Sequence, residues 1–159
     1  MRKLIFTLIA VLLFSFGNAQ TNYKSVLSSL VKSSDTNFNN ILGEKLSTQG
    51  FVSTYSSKIK FGLGKEFIEK MPDNTLGNIF TLVSNATGSE ALEMAVIDFV
   101  HENLIGDQYF ISLDRDEKNG SYSLIVIRKE TTTMFLQAEK KFNTDLKADE
   151  YKLMLYGKN

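Results

Sequence analysis

The segment Tyr109–Arg128 reads YFISLDRDEKNGSYSLIVIR and carries runs rich in β-branched and aromatic residues on both sides of Asn119-Gly120. Asparagine followed by glycine is the strongest two-residue signal for a β-hairpin, because both residues tolerate the positive φ angles of a type I′ turn. A turn at this dipeptide pairs Lys118 with Ser121. The sequence therefore predicts a hairpin over residues 108–128.

The register that follows from this turn agrees with the apolar pattern of both strands. It sets Leu113 opposite Val126 and Ile111 opposite Arg128. Since side chains alternate between the two faces of a sheet, one face collects six apolar residues: Tyr109, Ile111, Leu113, Tyr122, Leu124 and Val126. The other face is mainly polar, with two isoleucines as exceptions. We expect the apolar face to lie on the protein core.

Two longer segments have the apolar spacing of amphipathic helices. Asn22–Ser34 repeats apolar residues at intervals of three and four, and Thr87–Ile105 does the same. In the second segment, Thr87 and Glu90 are spaced to form a capping box at the helix start. Gly106 follows its end, where glycine commonly terminates a helix. Both segments are predicted helices.

The segments between these helices give weaker signals. Residues 38–46 and Lys65–Met71 are each predicted to form a short helical turn, the second ending at Pro72. Alternation of apolar and polar residues predicts a strand over Ile59–Leu63. The apolar run Ile79–Val83 has the length of a buried strand.

The C-terminal residues 131–159 leave two structures open, strand and helix. Residues 131–136 have strand-like composition, and residues 137–142 could extend that strand or form a helix. Tyr151, Leu153 and Leu155 alternate with less apolar neighbours, which indicates a last strand. With the hairpin, these patterns predict an α+β fold in which an antiparallel sheet packs against helices.

The N-terminus has the layout of a secretory signal peptide. Arg2 and Lys3 precede the apolar run Leu4–Phe16, and residues 17–19 (GNA) put small residues at the cleavage positions. The run is shorter than the ~20 apolar residues of a membrane-spanning helix. The segment resembles the signals of exported proteins of Gram-negative bacteria. We expect residues 1–19 to be removed, leaving a single periplasmic or secreted domain over 20–159 without a membrane span.

Charge and cysteine content exclude several classes of protein. The chain has 18 basic and 18 acidic residues, and loss of Arg2 and Lys3 leaves 16 basic residues against 18, a net charge of −2. Such a balance gives no electrostatic reason to bind nucleic acid. The chain has no cysteine, which excludes disulfides and thiol catalysis.

His101 is the sole histidine and the most obvious candidate for polar chemistry. Asp98 and Glu102 stand three residues before it and one after it, so all three side chains project from one side of the predicted helix. Imidazole and carboxylates together could bind zinc or iron, but no second histidine completes a zincin motif. A solvated helix face explains the set equally simply, so no metal ligand, catalytic residue or cofactor is assigned.

Two further segments resemble ligand-binding loops. Asp114–Gly120 has the acidic spacing of a calcium loop, but Lys118 occupies a ligand position and Asn119 the glycine position. An ordinary charged hairpin end is the simpler interpretation. Gly62-Leu63-Gly64-Lys65 resembles a phosphate loop without the spacing of a Walker motif. Two glycines beside a strand more often mark a bulge or bend.

The absence of a catalytic motif favours a non-catalytic binding or accessory protein whose partner is an unidentified protein or a small apolar ligand. Aromatic residues in every predicted element would suit either a packed core or an apolar pocket between sheet and helix. A small hydrolase or metal enzyme using His101, and a structural or adhesion component of the cell envelope, are the alternatives. No binding residue can be assigned from the sequence.

Overall fold

The computed structural model describes residues 23–72, 77–84, 89–104, 106–116, 118, 120–145 and 147–158. The predicted signal peptide, residues 1–19, lies outside this part of the chain. Within it there are two α-helices, α1 over residues 23–34 and α2 over Ser89–Asn103, and a 3-10 helix over Asn39–Ile41. No helix among these residues is long and apolar enough to cross a membrane.

Eight strands form one antiparallel sheet. Their bounds are β1 Leu42–Gln49, β2 Val52–Ser57, β3 Lys65–Lys70, β4 Ile79–Ser84, β5 Tyr109–Asp116, β6 Ser121–Arg128, β7 Thr133–Asn143 and β8 Ala148–Tyr156. The predicted antiparallel sheet with helices is confirmed as a fold in which the sheet dominates.

The strand order is β1-β2-β3-β4-β8-β7-β6-β5. The chain therefore makes two successive units, each a helix followed by a four-stranded meander, and the last strands of the two units pair in the middle of the sheet. The first strand of each unit, β1 or β5, forms an outer edge. This arrangement leaves two edges that differ in sequence, and it brings the start of β4 close to the ends of β6 and β8.

One hydrophobic cluster joins both helices to the sheet. Leu27 and Leu30 of α1 and Leu92 and Phe99 of α2 are buried in it, together with alternate residues of the inner strands. In β8, for example, Tyr151, Leu153 and Leu155 are buried and their neighbours are not. Period-two burial of this kind is what a sheet with one covered face requires.

The predicted hairpin over residues 108–128 is confirmed, but its predicted register is wrong by two residues. Ile111 lies opposite Val126 and Leu113 opposite Leu124, so the connection spans four residues between Asp116 and Ser121. The Asp116 side chain accepts a hydrogen bond from the Lys118 amide, and this Asx turn starts the loop earlier than Asn119-Gly120 alone would. A shift of two residues leaves every side chain on its predicted face.

Two predicted helical turns are wrong. Residues 42–46 belong to β1, so only Asn39–Ile41 of the predicted turn is helical, and Lys65–Lys70 is strand β3. Ile59–Leu63, predicted as a strand, is a loop between β2 and β3. The strand predicted at Ile79–Val83 is confirmed. The open question at residues 131–159 is resolved, because β7 and β8 account for most of that segment.

Candidate functional site

His101 is exposed near the end of α2, and its two acidic neighbours face a lysine. Lys24 Nζ of α1 lies 2.9 Å from a carboxylate oxygen of Glu102 and 3.6 Å from one of Asp98. The hydrogen bond to Glu102 raises the pKa of Lys24. These carboxylates therefore link the two helices, and no group of three His, Asp or Glu side chains able to hold a metal occurs within the described part of the chain.

The glycine-rich loop before β3 already holds an anion supplied by the chain itself. The carboxylate of Glu66, which is 8% exposed, accepts hydrogen bonds of 2.8 Å from the backbone amides of Phe61 and Gly62. Gly64 lies so close to the backbone of β4 that a Cβ there would fall 2.2 Å from the Val83 carbonyl oxygen. The glycines thus allow the chain to bend and to pass close to β4. The backbone amides that could bind a phosphate already donate hydrogen bonds to Glu66.

Replacing Glu66 with alanine is expected to lower the free energy of unfolding by about 2–3 kcal/mol, because two backbone amides lose a charged acceptor. Urea denaturation followed by circular dichroism measures this change. Glu69→Ala on the same strand is the matched control, and we expect it to cost under about 1 kcal/mol because Glu69 forms no ion pair with any described residue. Equal losses in the two variants would contradict the role given to Glu66.

A polar layer lies between α2 and the neighbouring end of the sheet. Glu93 of α2 has one carboxylate oxygen 3.1 Å from Lys140 Nζ of β7, and the other lies 3.8 Å from the Arg115 guanidinium of β5. Lys140 also approaches Asp149 at 3.8 Å. A cavity of about 440 Å³ borders this layer. Its charged groups neutralise one another, which gives a structural reason for the cluster.

Two tyrosines sit in the strands beside this layer. Tyr122 and Tyr151 lie on either side of Lys140 in the sheet, with ring centroids 6.2 Å apart. Neither buried hydroxyl has a hydrogen-bond partner among the described residues. Burial raises the pKa of both phenols well above the usual range for tyrosine. The interaction between the two phenols lowers the pKa of Tyr122 and raises that of Tyr151, and the negative charge of Glu93 raises both. Both side chains therefore stay neutral in the folded protein at physiological pH.

Arg128 at the end of β6 differs from Arg115, because it forms no ion pair within the described residues. Its guanidinium carbon lies 4.5 Å from the centre of the Phe135 ring. Its two terminal nitrogens donate to the carbonyl oxygens of Tyr156, at 3.3 Å, and Met134, at 3.5 Å. Burial lowers the pKa of this half-buried group, and Tyr109 and Asp35 partly oppose that effect.

A β-bulge between β6 and β7 determines where the Arg128 side chain packs. Val126 pairs with Leu136, but the next residue, Ile127, pairs with Met134, so Phe135 is the additional residue. Both Phe135 and Leu136 are buried as a result. Bulges commonly redirect side chains in this way. Here the bulge places the Phe135 ring under the Arg128 guanidinium. An arginine can stack on an aromatic ring in this way even where no carboxylate pairs with it.

Two clefts meet at Arg128. The first, of about 650 Å³, lies beside the start of β5 and is lined by Asp35, Asp107, Gln108, Tyr109, Arg128, Lys129, Glu130 and Lys158. The second, of about 430 Å³, lies over the β6–β7 turn and is lined by Gly77, Ile79, Arg128, Glu130, Thr131, Thr132, Thr133, Met134, Tyr156, Gly157 and Lys158. Arg128, Glu130 and Lys158 belong to both.

The charges of the two clefts differ. Three carboxylates balance three cations in the first cleft. Among the described residues that line the second cleft, Arg128 and Lys158 face only Glu130, which leaves one net positive charge. The second cleft also has an apolar side formed by Ile79, Met134 and Tyr156. A small molecule with one negative charge and an apolar part would therefore fit the second cleft better than the first.

Asn78 fixes the wall of the second cleft. This buried residue accepts a hydrogen bond from the Met71 amide and donates one to the Asn37 carbonyl oxygen, both through its side chain. Its backbone carbonyl accepts a 2.8 Å hydrogen bond from Gly157. The next amide, that of Lys158, donates to the Ser34 carbonyl oxygen at 2.8 Å. Segments far apart in sequence thus hold the C-terminal residues beside Arg128.

Sequence reasoning placed Arg128 in the hairpin but missed it as a site residue. The local signal was a pair of cations, Arg128 and Lys129, after the apolar run Leu124–Ile127, followed by Glu130 and three threonines at positions 131–133. That signal alone does not separate a binding residue from the solvated end of a strand. The residues that give Arg128 its surroundings, such as Asp35 and Tyr156, come from other parts of the chain.

The chain matches no protein-family model, and neither the curated proteins nor the solved structures yield a match.

Proposed function

We propose that this protein is an exported, non-catalytic binding protein that holds a small amphipathic anion in the second cleft. The observation that carries the proposal is Arg128, a half-buried guanidinium without an ion-pair partner among the described residues. Removing a charge from water costs free energy unless another charge or hydrogen bonds compensate it. A bound carboxylate would supply that compensation.

The unused donors of Arg128 suit a carboxylate. A guanidinium has five N–H groups, and the two hydrogen bonds to the protein leave about three of them. Parallel hydrogen bonds from an arginine fork to both oxygens of a carboxylate are short and directional. The single net positive charge of the second cleft favours a monoanion over a dianion. Export of the binding protein rests on the predicted signal peptide.

The apolar side of the second cleft specifies the rest of the ligand. Ile79 and Tyr156 are directly opposite each other in the sheet, and Met134 follows on β7. Burial of each methylene of a ligand against such a surface contributes about 0.8 kcal/mol. The proposed ligands are therefore short-chain or branched carboxylates. They agree with the small apolar ligand expected from the sequence and differ from it in carrying one negative charge.

Titration of the purified protein with hexanoate, followed by isothermal calorimetry or amide chemical shifts, tests the proposal. We expect hexanoate to bind at least about tenfold more tightly than hexanol, since a charge-assisted hydrogen bond contributes about 1.5–3 kcal/mol. Arg128→Met keeps an unbranched side chain over Phe135 and should lower hexanoate affinity by a factor of about ten to one hundred.

Arg115→Met is the matched control, because Arg115 is the other arginine of the described part of the chain and already faces Glu93. Its hexanoate affinity should equal that of the unaltered protein. Circular dichroism and thermal melting verify that both variants fold. Equal binding of hexanoate and hexanol, or an unchanged affinity in a folded Arg128→Met variant, would rule out the anion site.

A further inference from the structure

The two outer edges of the sheet are protected very differently. Strand β1 is interrupted by two irregularities in its pairing with β2 and exposes Glu44 and Lys45. Strand β5 pairs with β6 through eight unbroken positions. Charges, bulges and short strands are the usual means by which an edge avoids pairing with another chain. β1 has such protection, whereas the first half of β5 does not.

Exposed apolar side chains gather on β5. Seven large apolar side chains of the described residues are exposed, and three of them, Phe110, Ile111 and Leu113, belong to this strand. They lie on both of its faces, so the strand is uncovered as well as unpaired on its outer side. A regular, apolar, uncovered edge is a site for adding another strand.

The hydrogen-bonding pattern shows which residues of β5 are available. The Lys129 amide donates to the Gln108 carbonyl oxygen at 2.9 Å, which makes 108 and 129 a hydrogen-bonded pair. Since hydrogen-bonded and non-hydrogen-bonded pairs alternate in an antiparallel ladder, the even-numbered residues of β5 bond to β6. The amides and carbonyls of Tyr109, Ile111, Leu113 and Arg115 therefore face the open edge.

We propose that a second copy of this chain pairs with β5 in antiparallel orientation, with Ser112 opposite its own counterpart. This register pairs Ile111 with Leu113 and Tyr109 with Arg115, twice each by symmetry. Each such pair exchanges two hydrogen bonds, which gives about eight across the interface. Symmetric dimers use the same patch on both subunits, as this strand would.

Charge complementarity favours this register over the one in which Leu113 faces itself. The proposed register sets Asp114 opposite Phe110 of the second copy, whose ring lies 4.9 Å below the ammonium group of Lys129. The Asp114 carboxylate of one copy would thus lie near the Lys129 ammonium group of the other, on one face of the sheet. On the other face, the Arg115 guanidinium meets the Tyr109 ring, a favourable cation–π pair. Moving the pairing by two residues, so that Leu113 faces itself, would instead set Arg115 opposite the apolar Ile111.

The second copy would also complete the first cleft. Tyr109 lines that cleft, and in the proposed register it faces Arg115 of the second copy. The added cation would lie at the border of a cleft whose own charges are balanced. This consequence does not depend on hexanoate binding in the second cleft, so the dimer and the proposed function can succeed or fail separately.

Disulfide formation in the Ser112→Cys variant tests the proposal, because the chain has no other cysteine. Directly opposite residues of a non-hydrogen-bonded pair have Cα atoms ~4.5 Å apart, within the range of a disulfide. Ser47→Cys, an exposed serine on β1, is the matched control. With a mild oxidant at equal protein concentration, we expect Ser112→Cys to form the covalent dimer at least about tenfold faster, since pairing raises the effective thiol concentration.

Light scattering after size exclusion gives a second measurement that needs no cysteine. The unaltered protein should elute as a dimer, and Leu113→Lys, checked by circular dichroism, should elute as a monomer. A strictly monomeric unaltered protein, equal crosslinking of the two cysteine variants, or faster crosslinking of Leu113→Cys than of Ser112→Cys would overturn the proposed pairing.

Discussion

Raising the pH from 10 to 11.5 is expected to lower the free energy of unfolding by about 3 kcal/mol through Tyr122 and Tyr151 together. Burial is the main cause, because it raises the pKa of both phenols above the usual value near 10. Each phenol contributes about 1.4 kcal/mol per pH unit across the interval between its unfolded and folded pKa values. Guanidinium denaturation at several pH values measures the slope.

The sign follows from proton linkage. Between pH 10 and the folded pKa values, the unfolded chain releases the phenol protons and the folded protein keeps them. The unfolded state is then favoured more strongly as pH rises. Below about pH 9 both states are protonated, so the contribution of these phenols to stability is fully present and constant. Tyr23 and Tyr156, whose pKa values burial also raises, add to the same alkaline slope.

The double variant Tyr122→Phe/Tyr151→Phe separates these two phenols from the others. Its alkaline slope should be much flatter, while at pH 7 it should be as stable as the unaltered protein or more stable, since neither hydroxyl has a partner among the described residues. Tyr55→Phe, which removes a hydroxyl from a half-buried tyrosine of β2 outside this pair, is the matched control. A double variant with the original slope would contradict the assignment.

The periodic parts of the fold could be predicted from the sequence because their signals are local. Apolar residues of α2 recur on one helical face, and the faces of β5 and β6 follow from an alternation of apolar and polar residues that has few exceptions. The hairpin register could not be predicted from Asn119-Gly120, because Asp116 begins the loop through its own side chain. A two-residue shift keeps the apolar pattern intact, so that pattern could not reveal the error.

Strand β3 shows how pairing overrides local preference. Its sequence KEFIEK is rich in residues that favour helix, and this led to the predicted helical turn. The segment lies between β2 and β4 and hydrogen-bonds to both, which stabilises the extended form. Glu66 is buried there because the loop amides of Phe61 and Gly62 need its carboxylate. That need depends on the fold and leaves no periodic pattern in the sequence.

The candidate site was beyond sequence reasoning for a related physical reason. The surroundings of Arg128 depend on the bulge that places Phe135 beside it and on chain segments more than twenty residues away. An arginine at the end of a strand is usually solvated, and only the burial and the absence of an ion pair within the described residues distinguish this one. Both are properties of the assembled structure.

Replacing Asn78 with alanine is the substitution for which we expect the largest single loss of stability, about 2–5 kcal/mol. The side chain satisfies the Met71 amide and the Asn37 carbonyl oxygen in a buried place, and each group left without a partner costs about 1–3 kcal/mol. Asn37 adopts a left-handed backbone, with φ of 53°, so the loop that it occupies also depends on these contacts. Chemical denaturation at pH 7 measures the loss.

Asn40→Ala is the matched control, since this exposed asparagine also makes two side-chain hydrogen bonds, to Thr36 and Ser33. Water can replace Asn40 at the exposed Thr36, and the buried Ser33 hydroxyl keeps its hydrogen bond to the Ser29 carbonyl oxygen, so the control should cost under about 1 kcal/mol. Asn78→Ala should also weaken hexanoate binding, because it removes the side-chain hydrogen bonds that position the backbone carbonyl of residue 78, which holds Gly157 at the wall of the second cleft. A folded Asn78→Ala variant with undiminished stability would show that the buried hydrogen bonds of Asn78 do not anchor this wall.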